Sequence, residues 1–354
     1  MNLKFKNKKI TGILTVLPSK EVSFEDEMEN YNFSKEQSAK LKKIMGYGSH
    51  RIVDENVCCS DLAVAGINYL IERGHLKKEE IDAIVMVTQT PDYIMPVTSI
   101  LIQGKLDLKK DMYCVDVNQG CAGYLVGLHQ AFMFLEQETV NKVVLVNADI
   151  LTRKVSKKDR NSYPLVGDGA SITIVEKDTT SPEIFSNIKV DGTNWDALMI
   201  PAGGMRLPIS PETGVFQEDD KGNIRSKDNL VMKGDAVFNF VQTEVPPMIN
   251  DLVTYAGVEM DTIDYFMFHQ PNRFMLQKLA DKMKVSYDRM PNNVVEHFGN
   301  ASGVTIPTDI TFNLGQKLCD NEYMVCLAGF GVGLTWSSML IKMGKLDFCE
   351  MINY

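Results

Sequence analysis

The chain has 354 residues, of which 44% are hydrophobic and 23% charged, and its net charge is −9 at neutral pH. This length and apolar content fit one large domain or two ordinary ones with a sizeable core. The negative charge argues against a nucleic-acid-binding surface, which needs a basic patch. No stretch reaches the roughly 18 uninterrupted apolar residues of a membrane helix, and the N-terminal segment lacks the cleavage site of a signal peptide.

The seven cysteines show no C-x-x-C spacing of a metal or redox site, and only Cys58 and Cys59 are adjacent. We therefore expect a soluble, cytoplasmic protein of a reducing compartment. The pattern predicts no metal site and no cofactor.

Short apolar runs alternate with helical patterns along the chain, which predicts an α/β fold. Strands are predicted at 81–89, 111–118, 141–148, 170–176, 263–269, 323–329 and 334–341. Helices are predicted at 59–74, 122–138, 238–257 and 272–283. The last-but-one helical pattern contains Pro246 and Pro247, which predict a kink or a break there.

Three pairs of segments match at an offset of about 180 residues, which indicates a duplicated α/β unit. The proposed halves are residues 1–180 and 181–354. The first half carries about 17 extra residues, which we place in the loop at 151–166. The turn-rich stretch 201–228 is interpreted as a surface excursion between the halves.

The repeat brings together three residues of chemical interest. Cys121 and Asn300 occupy matching strand-to-helix turns, one in each half, and His269 ends a predicted strand. Ligand-facing residues collect at such strand ends in open α/β sheets. A helix N-terminus favours a thiolate, so we expect a lowered pKa at Cys121. An imidazole and a carboxamide can donate hydrogen bonds to a developing enolate, which favours carbon–carbon bond formation.

Cys, His and Asn in this order also occur in papain-like cysteine proteases. The C-G-S-C-W context of those enzymes is absent here, and their fold has no duplication. Taken singly, each residue has an ordinary structural explanation as a buried thiol, a core histidine or a turn residue. Their matched placement in the repeat favours the catalytic interpretation.

These motifs resemble the type III β-ketoacyl-acyl carrier protein synthases of the thiolase superfamily. The resemblance rests on "GCAG" around Cys121, "HQPN" with His269, "GNASG" with Asn300, "GDGAS" and the terminal "GFGVGLTW", and it covers nearly the whole chain. It implies a thiolase-like duplicated fold with five α-β-α-β-α layers.

The resemblance implies an acyltransferase that condenses a Cys121-bound acyl starter with a malonyl-carrier thioester. Backbone N–H groups of Cys121 and the glycine-rich turn would hold the first oxyanion. That turn contains Phe330, Gly331, Val332 and Gly333, and Val332 stands where the family usually has glycine. A related hydroxymethylglutaryl-CoA-forming acyltransferase uses Glu, Cys and His, which fits less well, and plant-type polyketide synthases have different motif contexts.

The resemblance also implies partners: acyl carrier protein or acyl-CoA, a malonyl thioester and a second copy of the chain. Residues that would contact the carrier or CoA are Arg160, Arg273, Lys278, Lys282, Lys284 and Lys40. Met95 would close the acyl tunnel of a partner subunit. The Trp and Arg that CoA-using members carry are replaced by Lys40 and Ile44, so we expect faster loading from a carrier-protein donor.

Two alternatives stay open within this fold. The same cysteine could serve an acyltransferase that forms C–O or C–N bonds in specialised biosynthesis. The chain could also be a catalytically degenerate partner protein, although such a protein would usually lose its cysteine first.

Overall fold

The computed structural model describes residues 1–31 and 33–354. Its strands, in chain order, are β1 (Asn2–Phe5), β2 (Lys8–Leu17), β3 (Glu21–Ser23), β4 (Ser49–Arg51), β5 (Ala83–Val87), β6 (Tyr113–Val117), β7 (Lys142–Ile150), β8 (Asp168–Lys177), β9 (Ile184–Val190), β10 (Leu198–Met199), β11 (Gln217–Glu218), β12 (Ile224–Arg225), β13 (Val231–Met232), β14 (Tyr265–Phe268), β15 (Glu322–Gly331), β16 (Thr335–Gly344) and β17 (Phe348–Asn353).

The helices are α1 (Phe24–Glu27), α2 (Lys35–Met45), α3 (Cys59–Glu72), α4 (Thr98–Lys105), α5 (Gly123–Phe134), α6 (Gly234–Ala256), α7 (Arg273–Met283), α8 (Val294–Phe298), α9 (Thr305–Asn313) and α10 (Gln316–Asp320). Every strand and helix predicted from the sequence is present. Within the described ranges, no helix is long and apolar enough to cross a bilayer.

Two large sheets repeat the same arrangement of strands. One has the order β17-β2-β8-β7-β5-β6 and the other β1-β9-β16-β15-β14. In each sheet a parallel pair, β5–β7 or β14–β15, continues into two antiparallel pairings. This repetition confirms the predicted duplicated fold.

Helices form three layers around the two sheets. The α3 helix packs outside the first sheet, where Leu62 and Ile67 are fully buried. Between the sheets lie α5 and α9, whose Leu128 and Ile310 belong to the central core. The α6 and α7 helices cover the second sheet, for example through Ile249. These layers form the five-layer arrangement expected from the resemblance.

The terminal strands cross between the halves. β1 pairs with β9 in the second sheet, and β17 pairs with β2 in the first. The division at residues 1–180 and 181–354 stays a prediction, and the terminal strand of each proposed half pairs in the sheet of the other half.

The two predicted insertions lie where the halves differ. Residues 151–167 separate β7 from β8, whereas residues 332–334 alone join β15 to β16. The stretch 201–228 lies between β10 and β13, which pair with each other and close the excursion at its base.

A break at Pro246 and Pro247 is wrong, because α6 runs uninterrupted from Gly234 to Ala256, and the alternative of a kink stays a prediction. Proline in a helix interior removes a backbone donor and costs about 3 kcal/mol. Burial of one face offsets this cost, since Val245, Met248 and Ile249 are fully buried against the second sheet.

We expect Phe348→Ala to lower the free energy of unfolding by about 3–5 kcal/mol, the usual cost of truncating a buried phenylalanine. Phe348 is buried, its ring centroid lies 4.9 Å from that of His75, and its ring fills the space above Gly12. Chemical denaturation measures the effect, and Tyr354→Ala at the exposed C-terminus is the control. Equal stability of the two variants would show that β17 does not contribute to the core.

Candidate active site

Cys121 lies where two cavities meet. The entrance cavity, of about 670 Å³, is lined by Cys121, His269, Asn300, Phe330 and Gly331 among others. The inner cavity, of about 370 Å³, also contains Cys121 and Asn300. Its other walls are mainly apolar and include Leu151, Trp195, Met199, Ile200, Leu230 and Val332. The structure therefore brings the three predicted residues to one place, with separate spaces on either side of the thiol.

Glycines of β15 allow this close packing around Cys121. A Cβ atom at Gly331 would lie 2.6 Å from the Cys121 sulfur, and one at Gly329 would lie 2.7 Å from the Cα of Ala122. Real Cβ atoms do not approach other atoms so closely. The glycine-rich end of β15 is thus required by the position of the thiol.

The pKa of Cys121 is raised, which contradicts the lowered value expected from the sequence. Burial is the main cause, because removal of water disfavours the thiolate. Hydrogen bonds from the Val332 backbone N–H and the Ser302 side chain act in the opposite direction, and the charge of Asp149 raises the pKa further. Val332 does not adopt a positive φ, so its side chain causes no strain in this turn.

His269 follows β14 and is buried, and burial lowers its pKa to about 3. The imidazole is therefore neutral at physiological pH. Its Nδ1 atom lies 2.7 Å from the Thr305 hydroxyl oxygen, at the start of α9. The Phe330 ring stands edge-on to it, with centroids 5.7 Å apart.

Asn300 is held by backbone hydrogen bonds to the 151–166 loop and its neighbour. The Asn300 N–H donates to the Leu165 carbonyl at 2.6 Å, and the Gly167 N–H donates to the Asn300 carbonyl at 3.1 Å. Its side-chain Oδ1 accepts the Ser302 N–H at 2.9 Å. Because the oxygen is occupied in this way, the Nδ2 group is oriented as the donor of the amide.

The predicted binding residues lie at different distances from the site. Arg160 lines the entrance cavity, 4.5 Å above the Phe33 ring. Arg273 forms an ion pair with Glu296, and Lys40 is exposed on α2. Three lysines lie on or directly after α7 without lining either cavity: Lys278, Lys282 and Lys284. Met95 is 82% exposed on the loop after β5.

Phe33 was missed in the sequence interpretation. Phe33 and Arg160 together provide an aromatic face and a guanidinium in the entrance cavity. Faster loading from a carrier-protein donor stays a prediction. No sequence signal connects the two residues, because they lie far apart in the chain.

Ser302 and Asp149 were also missed. Ser302 is contained in the "GNASG" motif, two residues after Asn300, and this position was the only available signal. Asp149 is the last-but-one residue of β7, where it accepts hydrogen bonds from the Gln89 N–H at 2.8 Å and the Thr90 hydroxyl at 3.0 Å. Burial raises the pKa of Asp149 to about 7.

Within the part of the chain that the structure describes, no cluster of His, Cys, Asp and Glu could hold a metal ion.

The duplicated fold and the Cys–His–Asn arrangement define a condensing acyltransferase of the thiolase superfamily. Family models for 3-oxoacyl-[acyl-carrier-protein] synthase III and its C-terminal part match residues 115–192 and 253–343. A β-ketoacyl-[acyl-carrier-protein] synthase III of Clostridium acetobutylicum is 30% identical over 95% of this chain and 98% of its own. One of Streptococcus mutans is 31% identical over 82% of this chain and 87% of its own.

Solved structures agree with this assignment. A 3-oxoacyl-(acyl-carrier protein) synthase of Burkholderia xenovorans superposes with a TM-score of 0.92 at 29% identity, covering 100% of this chain and 99% of that one. The chain belongs to the 3-oxoacyl-[acyl-carrier-protein] synthase III family. This membership and the fold remove the papain-like alternative.

We expect Asp149→Asn to lower the pKa of Cys121, because the substitution removes a negative charge and keeps the shape of the side chain. Alkylation of Cys121 by iodoacetamide should then be faster than in the wild type above pH 7, where Asp149 is ionised. Below pH 6 Asp149 is protonated, so both proteins should react at the same rate. A rate difference that persists at low pH would contradict this charge effect.

Proposed function

We propose that the enzyme loads an acyl group onto Cys121 and condenses it with a malonyl thioester. The single observation that supports this most strongly is the position of Cys121 between two cavities, with His269 and Asn300 beside it. The entrance cavity would take the thioester-bearing arm of each substrate in turn. The apolar inner cavity would take the acyl chain of the starter.

In the first half-reaction the Cys121 thiolate attacks the thioester carbonyl of the donor. A carbon–sulfur bond forms between the acyl group and Cys121, and the carbon–sulfur bond of the donor breaks. The donor leaves as a thiolate, which takes up the proton released from Cys121. The Val332 N–H, which acts to lower the pKa of Cys121 in the free enzyme, and the Cys121 N–H would hold the oxyanion. Backbone donors of this kind typically contribute about 10²–10³ in rate each.

In the second half-reaction the malonyl carboxylate leaves as carbon dioxide, and its bonding electrons pass to an enolate. Asn300 Nδ2 would donate a hydrogen bond to the enolate oxygen, and His269 would donate a second one from Nε2 in the tautomer in which the Thr305 hydroxyl donates to Nδ1. The enolate carbon then attacks the acyl carbonyl, the carbon–sulfur bond to Cys121 breaks, and a β-ketoacyl thioester is released. This is a ping-pong mechanism through a covalent intermediate.

Condensation is supported over transfer to a hydroxyl or amine. Such a transfer needs a general base that removes a proton from the acceptor, and efficient bases have a pKa near the working pH. His269 has a pKa of about 3 and is a weak base. Neutral donors from His269 and Asn300 suit an enolate, which needs no base after decarboxylation.

We propose acyl carrier protein and acyl-CoA as alternative donors. Carrier proteins are acidic, and α2 and α7, which contribute Leu41 and Met275 to the entrance cavity, also carry basic side chains: Lys35, Lys40, Lys42, Lys43, Lys278 and Lys282. For an acyl-CoA donor, the Phe33–Arg160 pair would contact the adenine.

We also propose a cytoplasmic location, because all seven cysteines are free thiols. Recovery of the protein in another cell fraction would refute it.

We expect Cys121 to be needed for the first half-reaction and Asn300 for the second. Cys121→Ser should lose acyl loading, because a hydroxyl does not form the reactive anion. Asn300→Ala should still load the acyl group but lose about 10²–10³ in condensation rate, because one enolate donor is missing. Intact-protein mass spectrometry with a panel of acyl-CoA and acyl-carrier donors measures loading, and malonyl-dependent product formation measures condensation.

Loading that survives in Cys121→Ser would show that another residue is the nucleophile. Loading without condensation in the wild type, with any malonyl donor, would refute the condensing function. Loss of loading in Asn300→Ala would show that the roles are assigned to the wrong half-reactions.

We further propose a homodimer. Apolar side chains are exposed on the loop after β5, where Tyr93, Ile94 and Met95 are 60%, 85% and 82% exposed. The neighbouring strand β6 forms an open edge of the first sheet. Exposed apolar groups beside an open sheet edge favour association, since unpaired edges are otherwise protected. Met95 would then close the acyl space of the partner.

We expect sedimentation at about twice the chain mass of 39.7 kDa. The double variant Ile94→Asp/Met95→Asp should sediment as a monomer, because two desolvated charges oppose association. Ile44→Asp, at a partly exposed position of α2, is the control and should remain dimeric. A monomeric wild-type protein, or a dimeric double variant, would contradict the proposed interface.

A further inference from the structure

Among the described residues, the His269 imidazole hydrogen-bonds one side chain, the hydroxyl of Thr305. Thr305 begins α9 and is 1% exposed, and its Oγ1 atom lies 2.7 Å from His269 Nδ1. The backbone of His269 is fixed separately, because its N–H donates to the Ala328 carbonyl of β15 at 2.8 Å. Within the same part of the chain, the other ring nitrogen, Nε2, forms no hydrogen bond, and His269 lines the entrance cavity.

The direction of the hydrogen bond between Thr305 and Nδ1 determines what Nε2 can do. A neutral imidazole carries its proton on one ring nitrogen, and the partner of the other nitrogen selects which one. If Thr305 donates to Nδ1, the proton lies on Nε2, which is then a donor. If Nδ1 donates to Thr305, Nε2 is an acceptor and offers no hydrogen bond to an enolate.

The neighbours of the Thr305 hydroxyl favour donation to Nδ1. The Gln270 backbone N–H donates to Thr305 Oγ1 at 3.2 Å, so this oxygen already accepts one hydrogen bond. The other acceptor within reach of the hydroxyl proton is the Ser302 carbonyl, at 2.9 Å. That carbonyl already accepts the Thr305 backbone N–H. The hydroxyl proton is therefore available to Nδ1.

The position of Thr305 at the start of α9 favours the same direction. The N-terminal end of a helix carries partial positive charge, which suits a lone pair on Nδ1 better than a further N–H group. The distance of 2.7 Å is also typical of a hydroxyl donor, whereas N–H donors usually lie at about 2.9–3.0 Å from their acceptors.

We propose that Thr305 is a positioning residue, whose hydroxyl donates to His269 Nδ1 and keeps the ring proton on Nε2 for the enolate. No bond is made or broken at Thr305, and its proton stays on its own oxygen. Without this hydroxyl, Nδ1 is a buried lone pair with no donor, so the preference for one tautomer is lost. The use of Nε2 rests on the proposed function, whereas the tautomer is a property of the free enzyme.

The test observes the tautomer directly in the free enzyme. Histidine labelled with ¹⁵N gives different NMR signals for protonated and unprotonated ring nitrogens, and a His269→Gln variant assigns the signals of His269. Thr305→Val removes the hydroxyl and keeps the branched shape, and Thr305→Ser keeps the hydroxyl. Thr308→Val is the matched control, because Thr308 is 3% exposed on the same helix and its hydroxyl donates to the Val304 carbonyl at 2.8 Å.

In the wild type and in Thr305→Ser, we expect a protonated Nε2 and an unprotonated Nδ1 at His269. In Thr305→Val both tautomers should be populated. Condensation should then slow by about 10–100-fold, less than for a donor that is lost completely, because the productive tautomer stays partly populated. Acyl loading, followed by intact-protein mass spectrometry, should stay at the wild-type rate, because it does not use the enolate donors. Thr308→Val should match the wild type in its spectrum and in both rates.

A protonated Nδ1 in the wild type or in Thr305→Ser would overturn the proposal. So would a wild-type spectrum or a wild-type condensation rate in Thr305→Val. Slow loading in Thr305→Val, or equal losses in Thr308→Val, would also overturn it, because a general structural defect would then explain the effect. The spectra need no substrate. A wild-type enzyme that fails to condense would therefore refute the proposed function and leave the tautomer result unaffected.

Discussion

The close approach of β15 to Cys121 is the constraint on which the rest of the site depends. No side-chain carbon fits at Gly331, where it would lie 2.6 Å from the sulfur. At this contact, β15 of the second half packs directly against Cys121 of the first half. The packing around this half-buried thiol disfavours its ionised form, and the Val332 N–H acts in the opposite direction. Burial and oxyanion binding are thus consequences of one piece of packing.

A site built in this way must work with neutral donors. His269 is too deeply buried to carry a charge, and its pKa of about 3 keeps it neutral. Asp149 is also desolvated and holds its proton up to about pH 7. Low dielectric strengthens every hydrogen bond to a developing anion, because water does not compete for it. A neutral imidazole, an amide and backbone N–H groups are then sufficient for oxyanions that form and disappear during the reaction.

Much of this could be read from the sequence, because local patterns determine it. Strand and helix positions follow from apolar periodicity, and the repeat places Cys121 and Asn300 at equivalent turns. What failed depends on tertiary packing. The continuous α6 helix needs the second sheet beneath its prolines, and the raised pKa of Cys121 needs the desolvation that only the assembled halves create. The Phe33–Arg160 contact joins residues with no shared motif.

The differences between the halves matter as much as their similarity. The first half has the long loop between β7 and β8, and this loop supplies the Leu165 carbonyl that fixes the backbone of Asn300. The second half has a short turn at the equivalent place, and this turn brings Val332 to the sulfur. Two identical halves would provide either two long loops or two short turns. The duplicated fold forms this site because the connection after β7 is long and the connection after β15 is short.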